Sequence, residues 1–301
     1  MSYNNGGNNK TEEELSMKIL VTGATGQLGS RVVEALLSKV PADQLAVSVR
    51  TLEKAEHLRA RGVDVRQGDF DQPESLDKAF AGIDRILIIS ADGDNETRIR
   101  QHTQAVEAAV RANVKLIAYT SLANAAESTN MMAPPHQATE RAILESGTPY
   151  TILRNNWYLE NELGAIKAVL AGAPWVTSAG DGKTGWALRQ DYADAAATVL
   201  TGEGHENRIY ELSGQLLTQA ELAAELGQVI GKEVAVQQVS DEAYGEIMKQ
   251  AGVPEFALPI VIGIQQGIRE GSLAVESNDF EQVLGRPLTP IREALRQLIG
   301  E

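Results

Sequence analysis

Gly23, Gly26 and Gly29 stand three apart directly behind the strand-like run Lys18-Ile19-Leu20-Val21-Thr22. A buried strand that ends in glycines and reopens as a helix is suited to hold phosphate. Glycine permits a tight turn and a close approach, and the helix start offers free amides and the positive end of its dipole. The spacing G-x-x-G-x-x-G is one residue longer than the G-x-G-x-x-G of ordinary dinucleotide-binding turns. Thr25, Gln27 and Leu28 complete the turn, and Val32, Val33, Leu36 and Leu37 follow at helical spacing. Arg50 closes the next strand-like run, where an NAD-binding chain usually carries an acid for the ribose hydroxyls. Arginine offers a planar fork of donors to a 2′-phosphate and so points to NADPH, with NADH less favoured. Its bland alternative is a solvated residue at a strand end. Asp69 and Phe70 end the third run, where an acid and a ring could flank an adenine, or where the aspartate caps a turn.

Ser90, Thr120 and Ser121 fall at the ends of the fourth and fifth runs and are expected to face the nicotinamide half of such a cofactor. Carbonyl reduction by short-chain dehydrogenases adds a Tyr-x-x-x-Lys pair, with tyrosine as proton donor and lysine lowering its pKa. That pair is missing, since the fourth residue after Tyr119, Tyr150, Tyr158 and Tyr192 is Ala123, Arg154, Glu162 and Ala196. A reaction that creates a basic alkoxide thus loses an acid worth roughly 10²- to 10⁴-fold. His136 lies in the same region of the topology and could assist protonation, or could pack and hydrogen-bond at a helix start.

These residues need a frame of alternating strands and helices. Strands are expected at Lys18 to Thr22, Leu45 to Arg50, Val63 to Gly68, Arg85 to Ile89, Lys115 to Thr120 and Tyr150 to Arg154. Helices are expected at about Gln27 to Lys39, Glu53 to Arg61, Pro73 to Phe80, Glu96 to Asn113 and His136 to Ser146. Repeated βα units with short loops imply an α/β, Rossmann-like doubly wound parallel sheet, with ligands beyond the carboxyl ends of its strands. After Arg154 the pattern changes to a smaller, mostly helical part with a Gly/Pro-rich stretch from Gly172 to Gly185, further helices at Tyr158 to Leu170 and Asp191 to Leu200, and a short strand at Arg208 to Leu212. We therefore expect a disordered leader over 1–16, a dinucleotide-binding domain over 17–155 and a substrate-covering part over 156–301 packed on it.

Composition narrows the function classes. The chain of 301 residues has no cysteine, which removes disulfides, thiolate catalysis and cysteine-held metals together. A net charge of −14 disfavours nucleic acid and anionic membranes as partners, and no run is long enough to span a bilayer. A cytoplasmic protein acting on a small molecule, as monomer or homodimer, is expected.

Six segments carry a resemblance: Val21-Thr22-Gly23-Ala24-Thr25-Gly26-Gln27-Leu28-Gly29, Gly68-Asp69-Phe70, Tyr119-Thr120-Ser121, His136-Gln137-Ala138-Thr139-Glu140, Leu153-Arg154-Asn155-Asn156-Trp157-Tyr158 and Ala179-Gly180-Asp181-Gly182-Lys183. Together they resemble the NmrA-like atypical short-chain dehydrogenases, in particular the bacterial NAD(P)H:quinone oxidoreductases and triphenylmethane dye reductases. The resemblance implies that Gly23, Thr25, Gly26, Gln27 and Leu28 hold the pyrophosphate and Arg50 the 2′-phosphate. It further implies that Asn155, Asn156, Trp157 and Tyr158 line the nicotinamide and substrate end, with Lys183 in the pocket wall. Trp157 and Tyr158 could equally be core anchors, and the Lys183 loop a plain turn. Hydride addition to a quinone gives a resonance-stabilised anion that solvent can protonate, so an acid becomes optional and proximity does most of the work. An NADPH-dependent reductase of quinones or similar conjugated acceptors, without flavin or metal, is the leading expectation. A non-catalytic NADP(H)-sensing regulator is the alternative, and a ketoreductase or epimerase a third; His136 and Tyr158 are the candidate catalytic groups.

Overall fold

The structure, a computed structural model, describes residues 17–300, so the expected leader lies outside the described residues. The first half runs β1 (Ile19–Thr22), α1 (Gln27–Leu37), β2 (Leu45–Val49), α2 (Glu56–Arg59), β3 (Asp64–Gln67), α3 (Pro73–Phe80), β4 (Arg85–Ile88), α4 (Asn95–Arg111), β5 (Leu116–Leu122), α5 (Ala133–Glu145) and β6 (Tyr150–Asn155). The second half runs β7 (Trp157–Tyr158), α6 (Leu163–Leu170), β8 (Trp175–Thr177), β9 (Lys183–Ala187), α7 (Arg189–Thr201), β10 (Arg208–Leu212), β11 (Gln215–Thr218), α8 (Gln219–Ile230), β12 (Val236–Gln238), α9 (Asp241–Gln250), α10 (Leu258–Arg269), α11 (Asp279–Leu284) and α12 (Ile291–Ile299).

Seven parallel strands form the main sheet in the order β3-β2-β1-β4-β5-β6-β10. The chain winds outward in both directions from β1, which puts the switch in strand order between β1 and β4. Strands β1 and β2 are buried along their whole length, as strands covered on both faces must be. One core layer joins Val32, Val33 and Leu36 of α1 to Tyr192, Ala196 and Val199 of α7. The opposite layer joins Leu76 and Phe80 of α3 to Ala105 and Ala109 of α4 and Ile143 of α5. Burying each large aliphatic chain contributes about 1.5–3 kcal/mol, so two such layers fix the sheet firmly.

Three departures from the expected elements bear on the site. The helix expected over Glu53 to Arg61 is a tight turn at Leu52–Ala55 followed by the single-turn α2, because only Ala55 and Leu58 find apolar cover. The helix expected from Tyr158 begins at Leu163, since Trp157 and Tyr158 pair with Trp186 and Ala187 of β9 before a short turn. The Gly/Pro-rich stretch contains two strands, β8 and β9, where Trp175, Thr184 and Trp186 are buried. Those strands build two small sheets, β11-β9-β7 and β12-β8. The later chain also returns β10 to the main sheet beside β6 and lays α7 against α1.

Candidate functional site

A cleft of about 470 Å³ opens above the carboxyl ends of β1, β2, β4 and β5, at the switch point. Gly23 begins its floor with φ +60°, a left-handed backbone that glycine adopts without steric cost. A Cβ on Gly29 would run into the carbonyl oxygen of Gly23, so this glycine lets α1 start hard against the turn. The Gly26 amide donates to Gly23 O at 2.9 Å and closes the turn. Helix α1 then starts with no side-chain cap and no acid in its first turn. Among the described residues, side-chain caps are found on three other helices: Asp94 on α4 accepts from the Thr97 amide at 2.9 Å, Thr218 and Glu221 form a capping box on α8, and Ser240 caps α9; most of the remaining helices, like α1, have none. The amides of Gln27 and Leu28 therefore keep their capacity for an external anion.

The strand ends are stitched together around this turn. Thr22 Oγ1 donates to Leu87 O (3.2 Å) and accepts from the Ile89 amide (3.0 Å), while Thr120 Oγ1 accepts from the Ser90 amide (3.0 Å). Arg50 stands exposed at the far edge, and among the described residues no carboxylate lies within ion-pair distance of it. It lines both this cleft and an adjoining depression that holds Lys78, Gln72 and Ser75. Asp69 lines the cleft, and its carboxylate accepts from the Asp71 amide at 3.0 Å as a turn cap. Phe70, Thr25 and Ser90 line the cleft as well.

Tyr158 enters from the opposite wall. Its hydroxyl accepts a hydrogen bond from Asn155 Nδ2 at 3.0 Å, and its ring meets Tyr192 edge-on at 5.0 Å. Arg189, which carries no signal in the sequence, places its Cζ 4.9 Å from the Tyr158 ring centre and also lines the cleft. The first residue of α7, it is held by its amide on the Glu160 carboxylate and by Nη2 on Asn161 Oδ1 at 2.8 Å. No local motif marks it; only the packing of α7 on the sheet brings it to the site.

Several expected site residues lie outside the cleft lining. The alternation of β5 sends Thr120 to the cleft but Ser121 to the α5 side, where its Oγ donates to Glu140 Oε1 at 2.6 Å. Asn155 sits behind Tyr158 and reaches the cleft through it. Asn156 instead ties later segments of the chain together, donating to Ser213 Oγ and Leu273 O, both at 3.0 Å. Trp157 points away from Tyr158 and donates to Glu162 Oε1 at 3.2 Å, which also accepts from Trp186 Nε1; burial raises the Glu162 carboxyl pKa. Lys183 is exposed at the start of β9.

Of the two places open to His136, the structure shows the packed and hydrogen-bonded one in the first turn of α5. It is buried under α4 and β5, where Arg98 Nη2 lies 3.0 Å from its Nε2 and Tyr119 Oη 2.9 Å from its Nδ1. Arginine can only donate, so Nε2 accepts and the proton sits on Nδ1. His102 is arranged the same way, accepting from the Ala91 amide at Nε2 and meeting Thr139 Oγ1 at Nδ1. Burial, reinforced by Arg98, pushes both imidazoles down to about 3. A neutral His136 with both nitrogens engaged has no proton to give to the cleft at neutral pH.

A doubly wound sheet with an uncapped glycine turn at its switch point defines a dinucleotide-binding α/β protein. The NmrA-like family model matches residues 16–269, and the chain belongs to that family. It is 40% identical over 283 residues to quinone oxidoreductase 2 of Escherichia coli K12, covering 94% of this chain and 99% of that one. Its fold matches the Citrobacter triphenylmethane reductase complexed with NADP(H) with a TM-score of 0.90 at 45% identity, over 93% of this chain and 99% of the other. The E. coli NADPH-dependent quinone oxidoreductase complexed with NADPH matches with a TM-score of 0.89 at 39% identity, again over 93% and 99%.

Proposed function

We propose that this chain is an NADPH-dependent reductase that passes hydride directly to a quinone or a similar conjugated acceptor, triphenylmethane dyes among them. The observation that carries the reading is a donor set that fits NADPH: the uncapped amides at Gln27 and Leu28, with Arg50, which has no ion-pair partner among the described residues, at the far end of the same cleft. Gly23, Thr25, Gly26, Gln27 and Leu28 would hold the pyrophosphate, Arg50 the 2′-phosphate, Asp69 and Phe70 the adenosine end, and Ser90 and Tyr158 the nicotinamide end. Bound there, NADPH supplies a hydride; the protein's part is to hold an aromatic acceptor against it and keep water out. The relatives support the choice of acceptor, one being a quinone oxidoreductase and another a triphenylmethane reductase, each of the two enzymes solved with NADP(H) or NADPH. A cytoplasmic small-molecule enzyme agrees with a net charge of −14 and with the absence, among the described residues, of any helix long and apolar enough to cross a membrane.

The test is NADPH oxidation with a simple benzoquinone, a triphenylmethane dye and a ketone, with NADH in parallel. Turnover of the quinone with a marked preference for NADPH is expected. Arg50→Ala removes a charge-assisted contact worth about 1.5–3 kcal/mol, so NADPH binding should weaken roughly 10- to 100-fold while NADH binding stays the same. Equal use of both cofactors by the wild type would remove the role given to Arg50.

A further inference from the structure

The cleft holds a phenol and a cation that no sequence motif links. Tyr158 Oη accepts from Asn155 Nδ2, and among the described residues its own O–H donates to none, so that proton is free for a ligand in the cleft. Arg189 lies over the ring face, and among the described residues its guanidinium donates to one neutral partner, Asn161 Oδ1. A cation over an aromatic face is attracted by the ring, and more strongly once the ring carries negative charge. The other charged or titratable groups facing Tyr158 are Glu160, which binds the Arg189 amide, and Tyr192, edge-on to the ring.

We infer that Tyr158 and Arg189 form an acid pair for the reduced acceptor, with Tyr158 as the donor and Arg189 as a positioning residue that stabilises its conjugate base. This rests on the reductase reading above. Hydride supplied by NADPH adds to the acceptor and leaves a negative oxygen. The Tyr158 O–H bond breaks as an O–H bond forms on that oxygen, and the tyrosinate then regains a proton from water. Asn155 N–H and the Arg189 guanidinium face the charge while it exists. Fold and not sequence spacing thus supplies the cation that Tyr-x-x-x-Lys would place four residues on. The contribution should depend on the acceptor: small where the reduced anion is weakly basic, large where it is strongly basic.

Two measurements decide it. The first follows NADPH oxidation by wild type, Tyr158→Phe, Arg189→Met and Arg189→Lys across quinones from electron-poor to electron-rich, with NADPH binding measured by fluorescence. Tyr158→Phe should lose about 100-fold with the electron-rich quinones and little with the electron-poor ones. Arg189→Lys should recover most of what Arg189→Met loses, with NADPH affinity unchanged in both. The second needs no turnover. With fluorotyrosine, a more acidic phenol, in place of tyrosine, the fluorine resonance absent from Tyr158→Phe reports this phenol alone. Its titration should move up by about 1 pH unit or more in Arg189→Met.

An unmoved titration, or an equal loss with every quinone, overturns the pair. Weakened NADPH binding in Arg189→Met with an unmoved titration would instead make Arg189 a cofactor clamp. A wild type that oxidises no NADPH with any quinone overturns the reductase reading and the acid role with it. Turnover undiminished in Tyr158→Phe overturns the pair alone.

Discussion

The glycine turn and the histidine network lie on either side of the same strand ends, and they use their polar groups in opposite ways. In the cleft, α1 starts without a side-chain cap, and among the described residues Arg50 has no partner carboxylate and the Tyr158 O–H no acceptor. Beneath β4 and β5, the nitrogens of His102 and His136 are engaged by Ala91, Thr139, Arg98 and Tyr119. Both regions are rich in residues capable of chemistry. What separates them is whether hydrogen-bonding capacity is already consumed within the protein. The open side can serve a ligand; the closed side holds the β4–α4 loop in place from behind, through the Ala91 amide.

The largest expected effect breaks the open side. In Gly29→Ala the new methyl meets Gly23 O and the Ala24 backbone, so α1 must withdraw from the turn. Overpacking of this kind costs about 1–3 kcal/mol of stability. The loss of aligned amides should weaken NADPH binding by about 100-fold, or about 2.8 kcal/mol. Fluorescence titration beside thermal melting separates the two. Full affinity in a stable Gly29→Ala protein would show that the turn does not need its close approach.

The closed side should reveal itself through pH. Unfolded histidines titrate near their ordinary value of about 6.5, whereas His102 and His136 are pushed down to about 3 by burial and by Arg98. Below 6.5 the unfolded chain binds more protons than the folded one. Their contribution is complete above that pH and drains away as pH falls toward 3, at up to about 1.4 kcal/mol per pH unit for each. His205, partly buried, is pulled the same way. Urea unfolding between pH 7.5 and 5 should show the decline, while the ring resonances of His102 and His136 stay untitrated in the folded protein. A network histidine titrating near 6.5 would contradict the closed arrangement.

The contrast also marks how far the sequence could be read. Period and turn chemistry suffice for the six early strands, because β1, β2, β4 and β5 are apolar runs bounded by glycine, proline or polar turns. The places of the glycine turn and of Arg50 at the cleft were legible because both follow from short-range spacing to a strand end. Ser121 was misplaced by one step of strand alternation, which sends neighbours to opposite faces. His136 stayed open between a catalytic and a packed place because a sequence does not show what surrounds a side chain, and its network exists only after α4, α5 and β5 pack. Arg189 lay beyond reach for the same reason, as did β7, whose two residues become a strand only because β9 runs beside them.

The smallest effect tests the boundary between the two sides at Ser121. Its hydroxyl gives one hydrogen bond to Glu140 Oε1, but Arg154 already grips that carboxylate through Nε at 3.0 Å and Nη2 at 2.7 Å and turns its Nη1 to Glu211 at 2.9 Å. Two hydrogen bonds from a charged donor hold Glu140 whether or not the serine is present. Ser121→Ala should therefore cost only about 1 kcal/mol in unfolding free energy. NADPH affinity and quinone turnover should stay within about twofold, because the hydroxyl faces α5 and Thr120 alone of the pair reaches the cleft. A tenfold fall in turnover with stability intact would mean that Ser121 reaches the nicotinamide end once ligand binds. The strand end would then be movable, and the division between open and closed sides would shift when ligand binds.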